Sequence, residues 1–224
     1  MLIYLDSGSI QEIEKYAGDA RISGFTTNPT LIKQAGVTNY RSFAKTVLSL
    51  VGKKEVSFEV LSDSDDGIMK QALEIASWGE NIFVKVPIMF TDGSSTMPLV
   101  KKLTAQGVKV NVTAVMTTRQ IREVFEAIEG DHILSIFVGR IMDTGATGPQ
   151  TVWYADNNRG NSKIRILWAS VREVYNVYQA EKFCDIVTIT PPIIEKLKLQ
   201  KRPLTEYSLE TVRQFHADGK GIAF

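Results

Sequence analysis

The sequence predicts an α/β fold, a single-domain (β/α)8 TIM barrel with an extra C-terminal helix. Three observations carry this expectation. Eight short apolar runs of strand length, rich in Val, Ile or Phe, recur along the 224 residues. Amphipathic helical patterns lie between most of them. No low-complexity stretch, long charge block or Pro/Gly/Ser linker divides the chain, so residues 1–224 read as one domain, with 199–224 as a helical extension of it. An open doubly wound sheet is the alternative, but Leu5-Asp6-Ser7-Gly8-Ser9-Ile10 after the first run lacks the Gly-rich phosphate turn of that fold.

The runs follow in order. Leu2–Leu5 comes first, and Ser9 with Glu12 then forms a capping-box pattern that opens a helix carrying Ile10, Ile13 and Ala17 on one face. Gly24–Thr26 and Val56–Val60 are the second and third runs. The stretch from Ser64 to Trp78 places Ile68, Ala72, Ile75 and Ala76 at helical spacing. Ile82–Val86 and Val108–Thr113 follow. Thr117 with Gln120 repeats the capping box before Ile121, Val124, Phe125 and Ile128. Ile133–Val138, Ile164–Ala169 and Ile186–Ile189 complete the set, and Pro191 and Pro192 suit the first turn of a helix after the last strand. The segment from Leu199 is surplus to eight units. Its Leu209, Val212 and Phe215 line one helical face, which either covers its own barrel or docks as an arm on a neighbouring subunit.

Composition excludes several function classes. Twenty-six Lys and Arg against twenty-five Asp and Glu leave a net charge of +1, which argues against a nucleic-acid partner or a polybasic membrane surface. The apolar runs fall short of the roughly 20 residues of a membrane span. The first acid arrives at Asp6 with no basic residue before it, unlike a secretory signal. The single cysteine, Cys184, permits no internal disulfide, fits a reducing, cytoplasmic setting and reads as a core filler. His132 and His216 are the only histidines and lack ligand spacing, so neither a metal site nor a His-dependent triad is expected.

Side chains alternate across a strand, so residues two apart share a face. Val56, Phe58 and Val60 oppose Ser57 and Glu59; Val110 and Val112 oppose Asn111 and Thr113; Ile136 and Val138 oppose Ser135 and Phe137. The apolar faces belong under the helices, and the others then point into the barrel. Asp6, Thr26 with Asn28, and Ser170 with Arg172 stand at the C-terminal ends of three more strands, the end at which barrel enzymes build their sites. Lys85 is the sharpest signal, an amine inside Ile82-Phe83-Val84-Lys85-Val86-Pro87 with no charged neighbour in sequence. Burial there disfavours an ammonium and favours a free amine able to attack a carbonyl. The resulting imine is an electron sink for retro-aldol cleavage, which also needs carboxylates for proton transfer; Asp6 and Glu59 supply two.

These residues resemble the transaldolase family, most closely its short branch of small transaldolases and fructose-6-phosphate aldolases. The resemblance runs end to end. It rests on Leu5-Asp6, Thr26-Thr27-Asn28-Pro29, Glu59, Lys85-Val86-Pro87, Asn111-Val112-Thr113, Ser135-Ile136-Phe137-Val138-Gly139-Arg140-Ile141 and Ala169-Ser170-Val171-Arg172. It implies a class I mechanism without metal or other cofactor, with the imine on Lys85. A dihydroxyacetone unit would pass from sedoheptulose 7-phosphate to glyceraldehyde 3-phosphate in the pentose phosphate pathway. Asp6 would take the donor hydroxyl proton. Glu59, with Thr113 and a water, would serve imine formation and hydrolysis. Thr26, Asn28, Asn111, Ser135 and Phe137 would surround the three-carbon unit, and Arg140, Ser170 and Arg172 would bind phosphate. The same resemblance implies sugar phosphates as the only partners besides further copies of the chain, in a homo-oligomer that is often a decamer in the short branch.

Fructose-6-phosphate aldolases carry glutamine where Glu59 stands and tyrosine where Phe137 stands, so both positions resemble the transaldolase choice. Release of free dihydroxyacetone is the alternative activity, and a non-catalytic sugar-phosphate-binding barrel is the second. Two departures stand out. Ser7-Gly8 replaces the usual Thr after the first aspartate, and Trp168, where a small residue is usual, bears on the shape of the acceptor pocket.

Overall fold

The computed structural model of the protein describes residues 1–223; Phe224, the end of the predicted extension, lies outside the described residues. The strands are β1 Leu2–Asp6, β2 Ile22–Thr26, β3 Glu55–Glu59, β4 Ile82–Pro87, β5 Val110–Val115, β6 Ile133–Ile136, β7 Arg165–Trp168 and β8 Ile186–Ile189. They pair in parallel in chain order, and β8 closes on β1. The helices are α1 Ile10–Ala17, α2 Pro29–Gln34, α3 Tyr40–Val51, α4 Asp65–Ala76, α5 Met97–Ala105, α6 Thr118–Ala127, α7 Val138–Asp143, α8 Gly148–Asn158, α9 Val174–Ala180, α10 Pro191–Lys196 and α11 Leu204–Asp218. The predicted (β/α)8 barrel is the observed fold.

Alternation along the strands separates two cores. Val56 and Phe58, Val84 and Val86, and Val110 and Val112 face the helices in one continuous outer core. Inside the barrel, Tyr4, Phe83, Ile133, Leu167 and Ile186 form a smaller cluster. At the N-terminal end a charged layer plugs the barrel. Arg165 binds Glu55 at 2.8 Å, stacks over Phe83 at 4.8 Å, and Glu55 also accepts from the Tyr4 hydroxyl. Gly24 is required beside Tyr4, because a Cβ there would lie 2.7 Å from its ring. This closed lower half leaves the C-terminal half for polar side chains.

Several expectations are corrected. Val60 and Ala169 lie one residue beyond β3 and β7, and Val138 belongs to α7, because β6 ends at Ile136 and the chain turns directly into that helix. β5 starts two residues later than predicted and continues to Val115. The box at Thr117 and Gln120 is reciprocal. At Ser9 only half of it forms: its hydroxyl accepts from the Glu12 amide, but the Glu12 carboxylate takes the Ser7 hydroxyl instead. Trp168, expected to bear on the acceptor pocket, is instead fully buried among the helices and faces away from the barrel interior, since it alternates with the inward Ala169. The C-terminal segment, among the described residues, does not cover its own barrel. α11 has no buried residue, and Leu209, Val212 and Phe215 stay exposed.

Candidate active site

A cavity of about 480 Å3 opens at the C-terminal end of the barrel, within the range of small-molecule sites. All eight strands contribute to it through residues at or just beyond their ends: Asp6, Thr26, Glu59, Lys85, Thr113, Ser135, Ser170 and Thr188. Thr30, Leu31 and Gln34 of α2 and Arg140 of α7 form part of its rim.

Lys85 lies on the inner face of β4 with only 5% of its surface exposed. It is not the isolated amine its sequence neighbourhood suggests. Register sets Glu59 of β3 directly beside it, with Oε2 2.9 Å from Nζ. The amine also donates to the Thr27 carbonyl at 2.8 Å. One ammonium proton therefore already points at a carboxylate, which gives a direct path for making the amine neutral.

Asp6 stands across the cavity floor at the end of β1. Burial is the main force on its carboxyl and pushes it above the ordinary aspartate range. The Lys85 charge and hydrogen bonds from Thr26 and Asn28 oppose this, and the Glu59 charge adds to it. Thr26 Oγ1 donates to Asp6 Oδ1 at 2.8 Å and contacts Thr188 Oγ1 at 2.6 Å. Thr26 has one hydroxyl proton, so Thr188 must be the donor in the second contact, and a chain of hydroxyls runs from Thr188 to Asp6. Asn28 caps α2 by accepting from the Leu31 amide at 3.0 Å, ahead of Pro29 at the first helical position. Its amide nitrogen, 3.5 Å from Asp6 Oδ2, is held toward the cavity by that cap.

Below this layer, Ser135 Oγ donates to Asn111 Oδ1 at 2.7 Å, and Asn111 Nδ2 donates to Ser57 Oγ at 3.1 Å. Asn111 is fully buried and does not line the cavity; it orients Ser135, which does. Thr113 lines the cavity, and its buried hydroxyl has no hydrogen-bond partner among the described residues. β5 bulges there: its register slips by one residue between Val112 and Val115, with Ala114 in the left-handed region at φ 62°. Bulges and strained non-glycine residues cluster at functional sites.

On the far rim, Phe137 precedes α7 and its amide donates to the Val115 carbonyl at 2.8 Å, which ties its main chain to the bulged strand. Ser170 is also left-handed, at φ 63°. Its carbonyl presses against Gly139, where a Cβ would lie 1.7 Å away. Arg140 is exposed and has no ion-pair partner among the described residues, whereas Arg172 forms a two-point pair with Asp143.

The matching family decides the broad class. Residues 3–223 match the transaldolase/fructose-6-phosphate aldolase family. The chain belongs to this family. It is 34% identical to a probable transaldolase of Bartonella henselae over the full length of both chains. It shows the same identity to one from Carboxydothermus hydrogenoformans, covering 99% of each. Solved structures show the shared barrel at low identity. Mandelate oxidase superposes with a TM-score of 0.59 at 15% identity, covering 87% of this chain and 67% of that one. Tryptophan synthase from M. tuberculosis gives 0.54 at 14%, covering 88% and 84%.

The protein is thus a transaldolase-type aldolase. Eleven of its twelve sequence-predicted site residues line the cavity: Asp6, Thr26, Asn28, Glu59, Lys85, Thr113, Ser135, Phe137, Arg140, Ser170 and Arg172. Asn111 supports from below. Sequence reasoning turned Ser57 inward without giving it a role, and it missed Thr188, which alternation with Val187 and Ile189 would have turned inward, and Ala114. It also missed Gln34, which carries no local signal. Among the described residues, no group of three or more His, Cys, Asp or Glu is placed to hold a metal ion, and no helix is long and apolar enough to cross a membrane. Burial pushes the Cys184 thiol far up, so its nucleophilic form is suppressed.

Proposed function

We propose that the protein is a transaldolase that moves a dihydroxyacetone unit between sugar phosphates through an imine on Lys85. The observation that carries this reading is the buried amine placed 2.9 Å from one carboxylate and in the field of a second. Glu59 removes the ammonium proton, and Lys85 Nζ attacks the C2 carbonyl of the ketose. Loss of that oxygen as water, with protons moved by Glu59 and a water held at Thr113, leaves a protonated imine. Asp6 then takes the C4 hydroxyl proton. The C3–C4 bond breaks, its electron pair flows into the imine, and an aldose leaves. The enamine attacks the carbonyl of a second aldose, Asp6 returns its proton, and hydrolysis frees the new ketose and Lys85. Burial suits Asp6 to this work, because a raised carboxyl binds a proton more readily.

Arg140 and Arg172 give the rim a cationic edge suited to the phosphate of the sugar, with the Ser170 hydroxyl beside them. On this reading the donor is sedoheptulose 7-phosphate and the acceptor glyceraldehyde 3-phosphate, as in the pentose phosphate pathway of the cytoplasm. Transfer rather than release of dihydroxyacetone is favoured by Phe137, which brings an aromatic ring but no phenolic proton donor to the cavity.

Borohydride reduction in the presence of fructose 6-phosphate tests the reading. A three-carbon adduct on the Lys85 peptide is expected, with none in Lys85→Met. Label on another lysine, or none with any ketose phosphate, refutes it. A paired assay of erythrose 4-phosphate and free dihydroxyacetone separates transfer from release, and Phe137→Tyr is expected to shift the balance toward release.

A further inference from the structure

Tyr40, the first residue of α3, approaches Glu59 from outside the cavity. β2 and β3 make their last bond between the Thr27 amide and the Ser57 carbonyl, at 3.3 Å. Beyond β2 the chain leaves the ladder, and Asn28 caps α2. In a parallel ladder, the amide and carbonyl of one residue face the same neighbouring strand. Those of Glu59 therefore face the side that β2 has vacated, while Val60 continues the ladder to β4 through the Lys85 carbonyl at 3.0 Å.

The Tyr40 hydroxyl fills the vacated position. It accepts from the Glu59 amide at 2.9 Å and donates to the Glu59 carbonyl at 3.0 Å. One side chain thus replaces a missing strand residue at the point where the carboxylate facing Lys85 is mounted. The ring is fixed in turn. It lies edge-on to Phe58 at 6.1 Å and to Trp78 at 6.0 Å, and stacks beside Phe43 at 6.4 Å. Burial pushes the phenol well above its ordinary range, so it remains a neutral donor and acceptor wherever the enzyme works.

We infer that Tyr40 is a positioning residue: by clamping both main-chain groups of Glu59 it aims that carboxylate at Lys85 and so sets the rate of imine formation. The inference rests on the imine reading above. A displaced carboxylate slows proton removal from Lys85 but leaves the phosphate rim untouched.

The test is a double-mutant cycle of Y40F and E59Q, read by the rate of borohydride trapping with fructose 6-phosphate, by kcat and KM, and by thermal midpoint. Y40F is expected to slow trapping and kcat about 10- to 100-fold, the scale of a small misplacement in a site. KM should change little, and the pH profile of trapping should alter. In the E59Q background Y40F should cost nothing further in rate, although it still lowers the midpoint. F43L loosens the same ring cluster while keeping the hydroxyl, and is expected to lower the midpoint with trapping unchanged. Equal slowing by F43L, or an equal cost of Y40F in both backgrounds, would reduce Tyr40 to general support and overturn the inference. An adduct forming at the wild-type rate in Y40F would overturn it alone. No adduct in the wild-type chain would overturn the imine reading and this role together.

Discussion

The role proposed for Asp6 comes with a stability cost that pH can reveal. Because burial raises its carboxyl above the ordinary value of 3.8, the unfolded chain gives up this proton first as pH rises. Ionised Asp6 therefore costs the native state stability. That cost is absent below 3.8 and complete above the raised native value. Asp6→Asn is expected to keep both contacts, with its amide oxygen toward Asn28, its N–H toward Thr26 and the Thr26 proton turned to Thr188. The variant is expected to melt higher than wild type at neutral pH, with the gap closing on acidification, and to lose turnover roughly 10²- to 10⁴-fold. Melts across the acid range beside a transfer assay check both. At the rim, Arg172→Ala is expected to raise KM for phosphorylated sugars about 10- to 150-fold, the loss of a charge-assisted contact of about 1.5–3 kcal/mol. Unphosphorylated analogues should be little affected. Asp143→Asn frees the same guanidinium from its internal partner and should lower KM for phosphorylated sugars, measured at low ionic strength where exposed charges act most.

At the scale of elements, the site depends on where strands stop. β2 stops to let Asn28 cap α2, β5 bulges at Ala114, and β6 gives way at Phe137 to α7. α7 is locked to the β7 end through Gly139, which lies against the Ser170 carbonyl. Gly139→Ala is expected to force these elements apart and cost about 1–3 kcal/mol of stability, as overpacking commonly does. It should also weaken phosphate-bearing substrates, because Ser170 and Arg172 move with that loop. Denaturant unfolding and KM for paired substrates read the two effects. Stability lost with phosphate discrimination intact would separate the lock from the rim.

At the scale of the molecule, the barrel is complete without α11. The apolar Leu209, Val212 and Phe215 of that helix project into solvent. We expect these residues to dock on another copy of the chain, and deletion of residues 204–224 to lower the assembly state while the barrel's thermal midpoint falls little. Sedimentation velocity with a parallel melt checks this. An unchanged assembly would remove α11 from the interface, and a collapsed midpoint would make it part of the fold.

The barrel and most of its lining are legible in the amino-acid sequence alone, because both follow from local alternation. Ser57 and Glu59, or Asn111 and Thr113, are turned inward by a period of two that needs only their neighbours to be read. Lys85 stood out as a lone charge in an apolar run. Its partner did not, since the contact with Glu59 depends on the register of two strands separated by α4. Other features belong to the tertiary structure for the same reason. Alanine carries no signal for the left-handed turn at Ala114. Asn111 reads as a ligand until Ser57 and Ser135 enclose it, and Tyr40 reads as an ordinary helix residue until β2 leaves the ladder beside Glu59. Local pattern decides which face a side chain takes; which groups meet, and which main-chain groups are left to be satisfied, is decided by where neighbouring elements end.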